Sequence, residues 1–113
     1  MNYMPAITAA EPVAQYSVAG LNAVLLDNIR SAGAIGYRFI LVVYAATGEP
    51  CLFVASEVNA MAAELGGGSH FLGVFPGDSH ENHGSSDDWA NRDLFVKSAL
   101  AIAEERLTPR SVP

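Results

Sequence analysis

The chain has 113 residues, half of them apolar, and is therefore long enough to form one domain with its own hydrophobic core. Twelve Asp and Glu residues outnumber six Lys and Arg residues, and the net charge of −6 argues against nucleic acid and anionic membranes as partners. The single cysteine, Cys51, excludes an intramolecular disulfide and a cysteine-rich zinc site. The longest apolar run, FILVVYAA, is far shorter than the roughly 20 residues of a membrane span, and the first residues lack the features of a leader. We therefore expect a cytoplasmic protein.

The first third of the chain is predicted to contain an N-terminal arm and a helix. Residues 1–16 are rich in alanine and contain two prolines, so we interpret them as an arm and residues 17–113 as a single domain. From Val18 to Ala32 the apolar residues recur at helical spacing, and Gly33 is suited to end a helix there. The pattern predicts an amphipathic helix whose apolar face consists of Leu21, Val24, Leu25, Ile29 and Ala32.

The middle of the chain is typical of an antiparallel hairpin. The runs YRFILVVYAA and CLFVASEV are rich in β-branched and aromatic residues, and the turn residues TGEP separate them. The next segment, NAMAAEL, predicts a short helix that the glycines at 66–68 would end. A third strand is predicted from His70 to Phe75.

The C-terminal part predicts a long helix from about Asp87 to Leu107, with a broad apolar stripe that includes Trp89 and Phe95. Ser85 and Asp88 are expected to cap its start, and Pro109 follows its end. Together these elements predict a two-layer α+β domain with a three-stranded antiparallel sheet and two principal helices.

Apolar residues on both faces of the predicted hairpin suggest that both faces are covered. Tyr37, Phe39 and Leu41 alternate with Ile40 and Val42, so neither face has the polar residues expected of a solvent-exposed sheet. We expect a homodimer to bury the second face, with the arm lying on the neighbouring subunit. The alternative is that the arm and the NAMAAEL segment cover this face within one chain.

The stretch GDSHENHGSSDDW, residues 77–89, suggests either a metal site or a polar loop. His80, His83 and Asp78 are donor types that suit zinc, manganese or iron, and Glu81 could activate a bound water molecule. However, HENH is one residue short of the helical motif in which two histidines share a face, and flanking glycines place it in a loop. The alternative is a polar connector whose second half caps the C-terminal helix.

Two further residues are candidate ligand contacts. His70 could supply a third metal-binding nitrogen or line a pocket, and Trp89 could be a pocket wall, although a core position explains Trp89 equally well. The glycines of GGGSH run into a strand and not into a helix, so they favour a connector over a phosphate loop.

Two classes of function are consistent with these features. The first is a non-catalytic binding or accessory protein, a homodimer that holds a small ligand or a protein partner and needs no cofactor. The second is a small metal-dependent or acid/base enzyme of hydrolase type, in which a divalent transition metal would bind in the loop at 78–88.

Overall fold

The computed structural model describes residues 5–33, 35–58, 68–77 and 79–108, which form one antiparallel sheet followed by a short 3-10 helix and an α-helix. Each strand pairs with the strands that precede and follow it in the chain, so the sheet order is β1-β2-β3-β4-β5-β6. The elements are β1 (Ile7–Val18), β2 (Leu21–Ser31), β3 (Tyr37–Tyr44), β4 (Pro50–Val58), β5 (His70–Phe75), β6 (Glu81–Ser86), the 3-10 helix (Asp87–Ala90) and α1 (Arg92–Leu107).

The predicted three-stranded sheet with two principal helices is wrong, chiefly because the segment read as the first helix is a strand. Ala19 and Gly20 both have positive φ, 51° and 77°, which is the backbone of a two-residue type I′ hairpin turn. This turn reverses the chain and pairs β1 with β2. Ala23 and Leu25 of β2 both point into the core. The buried residues therefore recur at every second position, as in a strand, and their apparent helical spacing was a coincidence.

Much of the segment predicted to be an arm is the edge strand β1. Pro12 lacks the N–H group that a central strand needs, and it is tolerated because β1 has only one neighbouring strand. The pairing register shifts between Pro12 and Ala14, and the Arg92 guanidinium donates a hydrogen bond to the Val13 carbonyl at 3.5 Å. This edge is therefore poorly suited to adding a further strand at its centre.

The predicted hairpin and the predicted strand after it are both confirmed. β3 pairs with β4 across the TGEP turn, and β5 pairs with β4 on its other side. A Cβ atom at Gly68 would overlap the backbone of Ser85 and Ser86, so close backbone packing explains at least this glycine of the triplet. The predicted NAMAAEL helix, with Gly66 and Gly67, lies outside the described residues.

The polar stretch after β5 differs from the predicted loop and helix cap. Its middle, Glu81–Ser86, forms β6, and Ser86, not Ser85, caps the 3-10 helix by accepting from the Asp88 backbone N–H. The long helix starts later than predicted, because the Asn91 side chain accepts from the Leu94 backbone N–H and so caps α1.

The sheet has a helix face, packed against α1, and an opposite face. On the helix face, Phe39 of β3 stacks on Phe95 of α1 with ring centroids 5.6 Å apart. On the opposite face, partly buried Leu26 and Phe53 pack against a second cluster. This second cluster is buried within the single chain and consists of Tyr37, Ile40, Val42, Ala55 and Phe75.

The chain has a radius of gyration of 13.8 Å, as expected for a compact domain of this length. The described part of the chain contains no helix that is both long and apolar enough to cross a membrane.

The β1–β2 turn offers a test of the topology. Replacing Ala19 by Asn should raise the free energy of unfolding by about 1 kcal/mol, because asparagine tolerates positive φ better than alanine does. Urea denaturation measures the change. Ala46→Asn, in the exposed β3–β4 turn and without positive φ, is the matched control and should give no gain. An equal gain in both variants would contradict the assigned turn.

Candidate functional site

Glu57 is an acidic residue buried near the end of β4, where the sheet is otherwise apolar. Its side chain is only 7% exposed. The preceding residue, Ser56, points to the helix face and donates to the Trp89 backbone carbonyl at 2.5 Å. Successive residues of a strand point to opposite faces, so Glu57 lies on the opposite face beside Tyr37, its partner in β3. A buried carboxylate needs a partner, and the next element supplies one.

His80 is the partner of Glu57. Its Nε2 atom lies 2.6 Å from Glu57 Oε1, and its ring stacks on Phe75 with centroids 4.4 Å apart and planes 6° from parallel. His80 stands just before β6, in the connection that turns at Gly77 with a φ of 114°. The pair therefore joins β4 to the connection that precedes β6, across β5.

Gly73 makes room for the Glu57–His80 pair. A Cβ atom at this position would overlap Glu57 Oε1 and would lie 3.0 Å from His80 Nε2. Phe71 and Phe75 are on the same face of β5, on either side of the glycine. The glycine thus leaves a gap between two aromatic residues, and the carboxylate and imidazole occupy it.

Tyr37 lies beside Glu57 in the β3–β4 pairing, and its phenol also interacts with the Ala6 backbone. Burial raises the pKa of Tyr37 above its usual 10.0, and the negative charge of Glu57 raises it further. Its phenol is therefore a neutral group at physiological pH. The site accordingly contains a carboxylate, an imidazole and a protonated phenol on one face of the sheet.

The geometry fixes which imidazole nitrogen is available to other molecules. Opposite an ionised carboxylate, which only accepts hydrogen bonds, Nε2 is the nitrogen that donates to Glu57. In neutral His80 the other nitrogen, Nδ1, is then an acceptor, and no described residue forms a hydrogen bond with it. The His80 side chain is 35% exposed, so a small molecule can reach the ring. A ring oriented in this way can bind a ligand or accept a proton.

The two histidines predicted to bind a metal, His80 and His83, are not brought together. His83 Nε2 lies 3.0 Å from Glu81 Oε1, and Glu81 also forms an ion pair with Arg106 of α1, so both lie on the helix face. His80 lies on the opposite face with Glu57. Asp78 is outside the described residues, and the described ones contain no group of three metal-binding side chains.

Glu81, predicted as a catalytic base, is instead part of this surface ion-pair cluster. Hydrogen bonds from Arg106 and His83 lower its pKa below the usual 4.5. The carboxylate is thus stabilised in its charged form, which weakens it as a base.

His70 and Trp89, the predicted ligand contacts, lie on the helix face and are separate from the Glu57–His80 pair. His70 Nδ1 lies 2.7 Å from Ser69 Oγ, and Ser69 also donates its backbone N–H to Asp87. Burial lowers the pKa of His70 from 6.5, and the nearby positive charge of Arg38 lowers it further, against the opposing charge of Asp87. Trp89 packs against the helix-face core, as the alternative interpretation held, and its buried Nε1 has no hydrogen-bond partner among the described residues.

Sequence reasoning identified His80 but missed Glu57, Gly73, Phe75 and Tyr37. A usable signal was present, because Glu57 is the only charged residue in the run CLFVASEV. The alternation of β4 places it on the same face as Ala55 and Phe53, where a carboxylate requires a partner. Its pairing with His80, 23 residues away, depends on the sheet order.

Comparisons of the chain with protein-family models, with curated proteins and with solved structures found no match. The chemistry of Glu57, His80 and the residues around them is therefore the basis for a functional proposal.

Replacing Gly73 by Ala should disrupt the site and lower the free energy of unfolding by about 1–3 kcal/mol, because the added methyl group displaces the Glu57 carboxylate. Urea denaturation measures the loss, and the His80 ring signals in NMR spectra should shift. Gly36→Ala is the matched control, since its Cβ would meet only Val58, at 3.6 Å or more. Equal losses in the two variants would show that Gly73 has no special role.

His70 predicts a pH dependence of stability. Its pKa is lowered in the folded state, so below about pH 6.5 the unfolded chain binds the proton more readily, and stability falls as the pH falls. The variant His70→Gln should therefore lose less stability than the wild type between about pH 7.5 and 5.5. Glu81 and Asp87, whose pKa values are lowered from 4.5 and 3.8, change the pH dependence of stability only below this range. Urea denaturation across this range is the measurement, and identical profiles would contradict the assignment.

Proposed function

We propose that the protein is a non-catalytic binding protein that holds a small ligand at the Glu57–His80 pair. The observation that carries the proposal is a buried carboxylate that orients a partly exposed imidazole and leaves Nδ1 facing no described partner. Gly73 and the stacked ring of Phe75 support it, because both shape the space around these two groups. A few fixed polar groups among apolar residues are typical of small-molecule sites.

Acid/base catalysis is the second candidate, and the same carboxylate–imidazole geometry favours it. A carboxylate that holds one imidazole nitrogen stabilises the cation formed when the other nitrogen accepts a proton. The described residues place no serine or cysteine hydroxyl or thiol in hydrogen-bond contact with His80, and this favours the binding role. In this second function His80 would be the general base, in place of the predicted Glu81.

The homodimer and the cytoplasmic location also remain proposals. Their support comes from the low content of charged residues and from the free thiol of Cys51, whose pKa is raised by burial above 9.0. Such a thiol is unreactive and suits a reducing compartment. Burial of the opposite-face cluster within one chain means that a dimer would have to use a different surface.

The binding function can be tested by screening small aromatic and aliphatic fragments against the ¹⁵N-labelled protein by NMR. We expect some fragments to shift the His80 ring signals and the backbone signals of Phe75, and these shifts should disappear in His80→Gln. His83→Gln is the matched control, because it removes an imidazole on the other face and should leave fragment binding unchanged.

Two outcomes would contradict the binding proposal. Fragments that bind equally well to His80→Gln would place the site elsewhere. Turnover of an activated ester by the wild type and His83→Gln, but not by His80→Gln, would favour acid/base catalysis over simple binding.

A further inference from the structure

We infer that the ligand of the Glu57–His80 site presents an amine or hydroxyl hydrogen-bond donor on a flat apolar body, and is not a carboxylate or phosphate. This inference rests on the proposed binding function and specifies the class of ligand. Three features of the site support it: the charge of Glu57, the tautomer of His80 and the aromatic residues beside Gly73.

The charge of the site disfavours anions. The Glu57 side chain is only 7% exposed, and its carboxylate lies against the Nε2 edge of the His80 ring. Two described arginines form ion pairs elsewhere, Arg38 with Asp27 and Arg106 with Glu81, and no described arginine or lysine pairs with Glu57. Whether His80 is neutral or protonated, the Glu57–His80 pair carries no net positive charge. An anionic ligand would therefore lose its hydration without gaining a counter-charge.

The hydrogen bond between the two residues selects a donor. Nε2 donates to Glu57, so in neutral His80 the remaining nitrogen, Nδ1, is an acceptor. Polarisation of the ring by the carboxylate strengthens that acceptor. A ligand amine or hydroxyl can donate to Nδ1, whereas an ionised carboxylate has no proton to give.

The neighbouring aromatic residues favour a flat apolar body behind the donor group. Phe71 lies directly across from Glu57 in the β4–β5 pairing, and its side chain is only partly buried. Phe75 stacks under the His80 ring on the other side of Gly73. Phe75 is 5% exposed and lies against the His80 ring, so the partly buried Phe71 side chain is the apolar surface that a ligand at the pair can contact.

Three probes of one shape test the inference: 2-phenylethylamine, 2-phenylethanol and phenylacetate. Each is titrated into the ¹⁵N-labelled wild-type protein, with dissociation constants taken from the His80 ring shifts. We expect the amine and the alcohol to bind at least about tenfold more tightly than phenylacetate, as one hydrogen bond to the imidazole would provide. Intermolecular NOEs should connect the probe's ring to Phe71, a result that needs no variant.

Variants and outcomes separate this inference from the proposed function. His83→Gln should keep the preference for the amine and the alcohol, whereas His80→Gln should lose it. Tighter binding of phenylacetate at His80 would overturn the donor assignment and leave the binding function intact. If no probe shifted the His80 signals up to its solubility limit, and no fragment did so either, the binding function and this inference would both be overturned.

Discussion

The structure depends on the central hairpin, β3 with β4, being apolar on both of its faces. Leu41 and Val54 face α1, whereas Ile40 and Ala55 face the other way, and all four are almost fully buried. Burial of such side chains is the main source of folding free energy, at roughly 25 cal/mol per Å² of apolar surface. The helix covers only one face of this hairpin. Side chains of other strands cover the opposite face, and partly buried Leu26 of β2 is one of them.

Glu57 is costly to bury in such an interior, and the residues around it reduce that cost. His80 provides a donor at 2.6 Å, and Gly73 provides the space. Removing one member of a buried pair leaves the other uncompensated, which typically destabilises a protein by about 3–5 kcal/mol. The carboxylate is therefore buried at this position together with an imidazole that compensates it, and this makes the proposed ligand site part of the packing of the sheet.

Local sequence patterns predicted the elements that have one strong feature, such as an explicit turn or a long apolar stripe. The β3–β4 hairpin has β-branched runs and an explicit turn, and α1 has an apolar stripe over sixteen residues, so both were identified. β2 was misread because its apolar residues satisfy both periods, and only the backbone of Ala19 and Gly20 decides between them. The site could not be predicted for a related reason. Glu57 and His80 come into contact only because β4, β5 and β6 are neighbours in the sheet, and no local sequence pattern contains that order.

The order of the strands also has a kinetic consequence. Every strand pairs with the strands next to it in the chain, so the sheet forms without a crossover between distant strands. The longest connection between consecutive strands lies between Val58 of β4 and His70 of β5. The Glu57–His80 contact spans that connection, so the carboxylate meets its imidazole only after β5 has docked on β4. We therefore expect the site to form after the β3–β4 hairpin.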